Sequence, residues 1–217
     1  MISFSLWDIL RNLLLALRWT VALSLMSFVL GGTLGLILLF MRNSRHAILR
    51  HCIRLYIEVF QGTPLLMQLF LVFFGLALFG LEVPAWLAAS LALTLWSASF
   101  LAEIWRGCVD AIPCGQWEAS SCLAMNRFQQ MRHIILPQAL RIALPTLVSH
   151  SVLLFKNTSL AMAIGVAELT YATREIESQS FHTIETYLLT TAIYLGISLL
   201  IMAAGAALEN RYRIKTR

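Results

Sequence analysis

The chain has 217 residues, of which 59% are hydrophobic and 12% charged, with a mean hydropathy of +0.77. A soluble domain carries about 25% charged residues and covers its surface with them, so this composition excludes a soluble protein and indicates one embedded in a membrane. The net charge of +5 therefore says little about nucleic acid, because in a membrane protein the position of each positive charge matters more than the sum.

Arg11 and Arg18 precede a long apolar run at the N-terminus. The run exceeds the roughly 7–15 residues of a signal-peptide core, and no A-x-A-like site follows, so it reads as a retained span. Residues 19–41, 59–81, 83–102 and 186–208 are uncharged, and each reaches the roughly 20 residues needed to cross about 30 Å of hydrocarbon. Glu82, flanked by Gly80 and Pro84, marks a tight turn between the second and third spans. A further span over 142–167 is interrupted by Lys156. Either that helix stops early, or Lys156 lies at membrane depth with local distortion over Lys156-Asn157-Thr158-Ser159; the second reading is adopted. Cys52, Cys108, Cys114 and Cys122 form no C-x-x-C pattern and read as reduced apolar residues. The expectation is an all-α polytopic membrane protein, one domain over 1–217, with five transmembrane helices.

Orientation follows from the basic residues. Arg42, Arg45, Arg50 and Arg54 follow the first span, Arg106, Arg127, Arg132 and Arg141 the third, and Arg211, Arg213, Lys215 and Arg217 end the chain. The connection after the second span has no Lys or Arg, and the one after the fourth is acidic, with Glu168, Glu175, Glu177 and Glu185 against Arg174. The positive-inside rule puts the first and third connections and the C-terminus in the cytoplasm, and the N-terminus outside despite Arg11 and Arg18.

Residues 113–137 are then cytoplasmic and polar. Pro113 and Gly115 punctuate the start, Glu118 falls in the first turn, and Arg127, Arg132 and His133 lie toward the end, as a helix dipole favours. Trp117, Ala124, Phe128 and Ile135, at spacings of 7, 4 and 7, share one face. Pro137 ends or kinks this helix. By composition it is an amphipathic helix anchoring to lipid. The small run Glu118-Ala119-Ser120-Ser121 instead suits close approach of another protein.

These residues resemble the permease subunits of ATP-binding-cassette importers, in the polar amino acid uptake branch. Glu118-Ala119-Ser120 opens the family's cytoplasmic signature and Ile134-Ile135-Leu136-Pro137 closes it. Gly62-Thr63-Pro64-Leu65-Leu66, Ala102-Glu103-Ile104-Trp105-Arg106-Gly107, Ile112-Pro113-Cys114-Gly115-Gln116 and the run from Leu136 to Arg141 match further branch motifs, in order. One departure is Ala124, where the family has Gly; Ala is tolerated in a helix unless φ > 0 or very close approach is needed.

The resemblance implies a type I importer permease that forms the pathway as a dimer, with an identical or related second permease. Two cytoplasmic ATPases bind below and hold the ATP-Mg; this chain has no G-x-x-x-x-G-K-[ST] loop and no cofactor or metal of its own. An external solute-binding protein delivers solute, and the setting is the bacterial inner membrane. Gln116, Trp117, Glu118, Ala119, Ser120, Ala124, Arg127 and Phe128 would couple to the ATPase.

Candidate path residues are Glu58, Gln61, Gly62, Thr63, Pro64, Gln68, Lys156, Asn157, Thr158 and Ser159. Intramembrane charge is costly and usually functional. Glu58 could equally pair with Arg54, Lys156 could snorkel to outer water, and the uncharged polar groups could join helices. The branch often has Arg at Gln61 and Asp at Asn157; without them a polar zwitterionic amino acid is the expected solute. Glu103 and Arg106 are expected to form an i,i+3 ion pair. His150 and Ser151 lack the turn of an intramembrane serine protease. A passive channel, or another five-span protein whose polar helix only anchors to lipid, is the alternative.

Overall fold

A computed structural model describes residues 5–42 and 46–212, without the side chain of Tyr212; Arg45, Arg213, Lys215 and Arg217 lie outside the described residues. These residues form α-helices α1 (Leu6–Arg42), α2 (Ala47–Gly62), α3 (Leu65–Leu78), α4 (Ala85–Asp110), α5 (Cys114–Cys122), α6 (Arg127–Gln130), α7 (Leu136–Asn157), α8 (Leu169–Ser180) and α9 (Thr183–Tyr212). A π turn, Met131–Ile135, joins α6 to α7, and a 3-10 helix, Thr158–Ile164, follows α7. No strand occurs among them. Four helical stretches are long and apolar enough to cross a membrane: α1, α4, the run Arg127–Ile164 and α9; the bent pair α2–α3 is a fifth candidate.

Helix α1 begins well ahead of the expected start at residue 19. Ser5 and Asp8 organise its first turn, the Ser5 N–H donating to Asp8 Oδ2 at 3.2 Å. Ile9, Leu13, Thr20, Leu23, Ser27, Gly31 and Gly35 form its buried stripe. Arg11 and Arg18 do not interrupt the helix because they lie off that stripe, and Arg is a good helix former.

The most buried helix is α4. A Cβ on Gly31 would stand 2.9 Å from Ser97 Cβ, and one on Gly35 3.0 Å from the Ala102 backbone nitrogen. The pairing of 31 with 97 and 35 with 102 makes α1 and α4 parallel, with backbones too close for any side chain at the two glycines. His150 of α7 joins α4 at the same Ser97, its Nε2 at 2.8 Å from Ser97 Oγ and its ring stacked on Trp96.

The second expected span, 59–81, is broken at Gly62-Thr63-Pro64, where a Gly and a Pro can free backbone carbonyls. Helices α2 and α3 meet at 109°. Pro64 disfavours helical backbone at the residue before it, and Thr63 is extended at φ −110°, ψ 145°. Ile53 and Ile57 are the buried residues of α2. Helix α3, at 14 residues, spans about 21 Å, short of the full hydrocarbon thickness. The Gly80 turn follows, with φ 76°.

The polar segment over 113–137 also departs from the single helix expected. It breaks at Leu123–Asn126, because Asn126 starts a new helix with a reciprocal cap: Gln129 N–H to Asn126 Oδ1 and Asn126 N–H to Gln129 Oε1, both 2.9 Å. Glu118 therefore lies past the first turn of α5, and Arg127 opens α6 instead of closing a long helix. The four apolar positions do not share a face: Phe128 is 64% exposed and Ile135 fully buried. Nor does Pro137 end the helix. The preceding π turn, with the Leu136 N–H donating to the Met131 carbonyl, accommodates its ring and missing N–H, and helix continues to Asn157.

Candidate functional site

The cytoplasmic-type motif residues build a compact assembly where α1, α4 and α7 end or begin together. Glu103 of α4 accepts from Arg106 Nε at 2.9 Å and from Arg42 of α1, and Arg106 reaches Asp110 at 2.9 Å. The i,i+3 pair expected from sequence is present, but it is the middle of a four-residue network that also joins two helices. The sequence carried a signal for Asp110, four residues beyond Arg106, and none for Arg42.

Helix α5 hangs from this end. Ile112, Met131 and Ile135 are buried in one apolar cluster with Trp105 of α4, and Trp117 packs against it. Gln130 Nε2 donates to Ser121 Oγ at 3.0 Å and to the Met125 carbonyl at 3.1 Å, and Gln138 Nε2 to Gln116 Oε1 at 3.2 Å. These bonds tie α5 to the start of the fourth span. Gln116, Glu118, Ala119, Ala124, Arg127 and Phe128 are exposed, Trp117 is half-buried and Ser120 buried. An open recess of about 760 Å³ is bordered by Asp110, Trp117, Glu118, Asn126, Arg127 and Gln130.

The stop of α5 explains the glycine of the family motif. Ala124 has φ 55°. Its N–H donates to the Ser121 carbonyl at 3.0 Å, and the Met125 N–H to the Ser120 carbonyl at 3.3 Å. That is the Schellman pattern, whose left-handed position favours glycine. Gly80 and Gly165 fill the same position after α3 and after the 3-10 helix. Ala124 is thus strained, and the condition under which Ala would be harmful is met.

The candidate path residues fall on two features. Glu58, Gln61, Gly62, Thr63 and Pro64 are exposed at the α2–α3 break. Gln61 Nε2 donates to the Ser99 carbonyl at 3.1 Å, fastening the break to α4. Gln68 is buried and faces inward: its Nε2 lies 2.9 Å from the Phe60 carbonyl, 3.1 Å from the Thr63 carbonyl and 2.8 Å from Thr63 Oγ1. It satisfies the carbonyls that the break frees. Lys156 is exposed, Asn157 and Ser159 are half-buried, and Thr158 is fully buried with Oγ1 donating to the Phe155 carbonyl at 2.7 Å. The change from α to 3-10 geometry begins at Thr158, within the segment expected to be distorted. Leu65 and Leu69 of α3 pack with Ala161 and Ile164 of the 3-10 helix, so both irregular segments adjoin one core. Among the described residues Glu58 and Lys156 form no ion pair, with each other or with Arg54.

One constellation was invisible in sequence. Glu168, read there as part of an acidic connection, is fully buried. Its Oε1 caps α8, accepting from Thr170 N–H at 2.8 Å and Tyr171 N–H at 2.9 Å. Its Oε2 meets Tyr194 Oη of α9 at 3.0 Å and Thr20 Oγ1 of α1 at 3.3 Å. Burial pushes its carboxyl above the usual glutamate range. No group of three or more His, Cys, Asp and Glu side chains suited to a metal occurs among the described residues.

Residues 29–214 match the family described as "Binding-protein-dependent transport system inner membrane component". The chain belongs to that family. It is 36% identical to YckA of Bacillus subtilis, a probable amino-acid ABC transporter permease protein, over 98% of both chains. It is 33% identical to the glutamine transport system permease protein GlnP of Escherichia coli over 97% of both. The crystal structure of an amino acid ABC transporter with histidines superposes with a TM-score of 0.87 at 33% identity, covering 93% of this chain and 94% of that one. A methionine ABC transporter in inward-facing form, 21% identical, shares the fold with a TM-score of 0.74. The protein is thus a membrane-embedded permease subunit of an ABC importer, not a passive channel, and ATP-binding subunits and a solute-binding protein are its implied partners.

Proposed function

We propose that this permease imports a polar, zwitterionic amino acid or a close relative, and that α5 is the element its ATP-binding subunit grips. The observation that carries this is the attachment of α5: its outer face is exposed while Gln130, Gln138 and the Trp105 cluster fix its inner side to the third and fourth spans. A short helix held this way transmits a push as a rigid shift of packed helices. Gln116, Glu118, Ala119, Arg127 and Phe128 form the outward contact, with Trp117 and Ser120 as its base and Ala124 as its stop.

ATP and Mg²⁺ are held by two cytoplasmic ATPase subunits, and this chain itself catalyses no reaction. Two permeases, identical or related, enclose the pathway in the bacterial inner membrane, the N-terminus outside and the C-terminus in the cytoplasm. Glu58, Gln61 to Pro64 and Lys156 to Ser159 line the solute route, Glu58 and Lys156 offering opposite charges to an ammonium and a carboxylate; Gln68 shapes the bend beside it. The relatives' solutes, glutamine for one, support an amino acid.

Ala119→Trp tests the grip. The variant should insert and assemble, hydrolyse ATP and fail to transport; full transport would reduce α5 to a passive surface helix. Lys156→Met tests the path. Solute uptake by reconstituted vesicles should fall at least tenfold, and unchanged uptake would remove Lys156 from the route.

A further inference from the structure

The 3-10 helix Thr158–Ile164 is seven residues long, whereas such helices seldom exceed three or four because their hydrogen bonds are poorly aligned. Its sequence does not favour that form. Leu160, Ala161, Met162 and Ala163 are all good α-helix formers. Relaxation to α geometry would shorten the stretch by about 3.5 Å and turn its far end by about 140° relative to α7. Gly165, at φ 86°, stops the segment but sets no distance between its ends. A contact outside the segment must fix that distance.

Tyr194 of α9 touches both ends. On the near side its ring packs on Phe155 in the last turn of α7, with centroids 5.4 Å apart, and its Oη interacts with the Thr158 hydroxyl. On the far side the same Oη donates to Glu168 Oε2 at 3.0 Å and meets Thr170 Oγ1 at 2.9 Å. Glu168 is tied to α1 in turn: Thr20 Oγ1 donates to its Oε2 at 3.3 Å and accepts from the Leu169 N–H at 3.0 Å. Thr173 and Thr190 join α8 to α9 a second time, their hydroxyls 2.7 Å apart. Phe155, Thr158, Glu168 and Thr20 are all buried. Apolar side chains of the same shape could stabilise these contacts as well. What a satisfied polar cluster adds is one defined geometry.

We propose that Tyr194 is a positioning residue: its hydroxyl joins Thr158 before the 3-10 segment to Glu168 and Thr170 after it, sets the span of the segment, and so holds Lys156 to Ser159 in place. The effect on transport rests on the reading that Lys156 to Ser159 line the solute route. The hold on the segment rests only on the contacts of Tyr194.

The test uses the importer purified in detergent with its ATP-binding subunits. Amide hydrogen exchange, read by mass spectrometry, follows residues 158–168 and, as a reference, residues 95–101 of α4. Tyr194→Phe keeps the ring on Phe155 and removes Oη. Exchange over 158–168 should rise about tenfold, the order expected for one lost buried hydrogen bond, while 95–101 stays unchanged. Glu168→Gln, whose amide can still cap α8 and still reach Tyr194, should keep wild-type exchange. In vesicles supplied with the solute-binding protein, Tyr194→Phe should go on hydrolysing ATP but move about tenfold less solute per ATP. Unchanged exchange over 158–168 overturns the proposal. So does an equal rise in both regions, which would make Tyr194 a general packing residue. A rise confined to 158–168 with undiminished solute per ATP upholds the hold on the segment and instead removes Lys156 to Ser159 from the route. Should Tyr194→Phe fail to assemble, Thr170→Val takes one partner from the same hydroxyl. It should raise exchange over 158–168 about threefold, and no rise overturns the proposal.

Discussion

Replacing Glu168 should loosen the face opposite α5 more than any exposed substitution there. Its side chain is fully buried and accepts from the backbone of Thr170 and Tyr171, while Thr20 and Tyr194 complete its shell. Glu168→Ala removes a helix cap worth about 1 kcal/mol. It also strips Thr20 and Tyr194 of a buried partner, about 1 kcal/mol each. The sum is about 3 kcal/mol, and for a chain of this size each kcal/mol lowers the melting temperature by about 2–4 °C. The expected loss is therefore about 6–12 °C, read by size-exclusion chromatography after stepwise heating in detergent. A loss below about 2 °C would mean that α8 is held by its apolar contacts alone. A pH series separates charge from shape. Because burial raises the folded-state pKa of Glu168, the folded protein holds a proton that the unfolded chain releases. Its contribution is therefore complete below the ordinary glutamate value of about 4.3 and declines as pH rises from there through the raised value. Glu168→Gln, which mimics the protonated carboxyl, should lack that decline. A wild-type profile that rises over the same interval would refute the argument.

Gly31→Val should lower stability by about 1–3 kcal/mol, because its Cβ already meets Ser97 at 2.9 Å, whereas Gly196→Ala, with open space around it, should be tolerated; thermal stability of the two distinguishes packing from generic helix effects. Ala124→Gly should relieve left-handed strain of about 1 kcal/mol and raise the melting temperature slightly, with transport retained, while Ala124→Val should lower it. If Gly and Val behave alike, the Schellman stop of α5 is not formed in the membrane-embedded protein.

The sequence made the spans and the coupling segment legible to different degrees, for physical reasons. Long uncharged runs identify α1, α4 and α9, because lipid imposes length and polarity together. The end points were less visible: α1 extends to Leu6 because Arg11 and Arg18 lie off its buried stripe. The break of α2–α3 was signalled by Gly62-Thr63-Pro64, but its 109° angle depends on packing that includes Gln68, eight residues after Phe60. In the polar segment the spacing of Trp117, Ala124, Phe128 and Ile135 suggested one face. The competing signal was Asn126 followed three residues later by Gln129, a cap pattern that starts a helix and so ends the previous one. Glu168 could not be found from sequence, since Thr20 and Tyr194 come from helices far away in the chain.

The contacts divide the molecule into a closely packed unit and two irregular segments. Helices α1 and α4 touch backbone to backbone at Gly31 and Gly35, and α4 is pinned to α7 by Ser97 and His150. Arg42, Glu103, Arg106 and Asp110 lock α1 to α4 at their α5 end. On the proposed role of α5, a displacement of it would reach α1, α4 and α7 together. The irregular segments lie elsewhere: Thr63-Pro64 between α2 and α3, and the 3-10 stretch ending at Gly165. Both carry candidate path residues at their edges, Glu58 to Pro64 on one and Lys156 to Ser159 on the other. A push on α5 would then change the relation between a rigid body and two jointed segments that share the Leu65, Leu69, Ala161 and Ile164 core. This arrangement makes a specific demand: a cross-link within the rigid body, between α1 and α4, should leave transport intact. One that joins α3 to the 3-10 helix should arrest it while ATP hydrolysis continues.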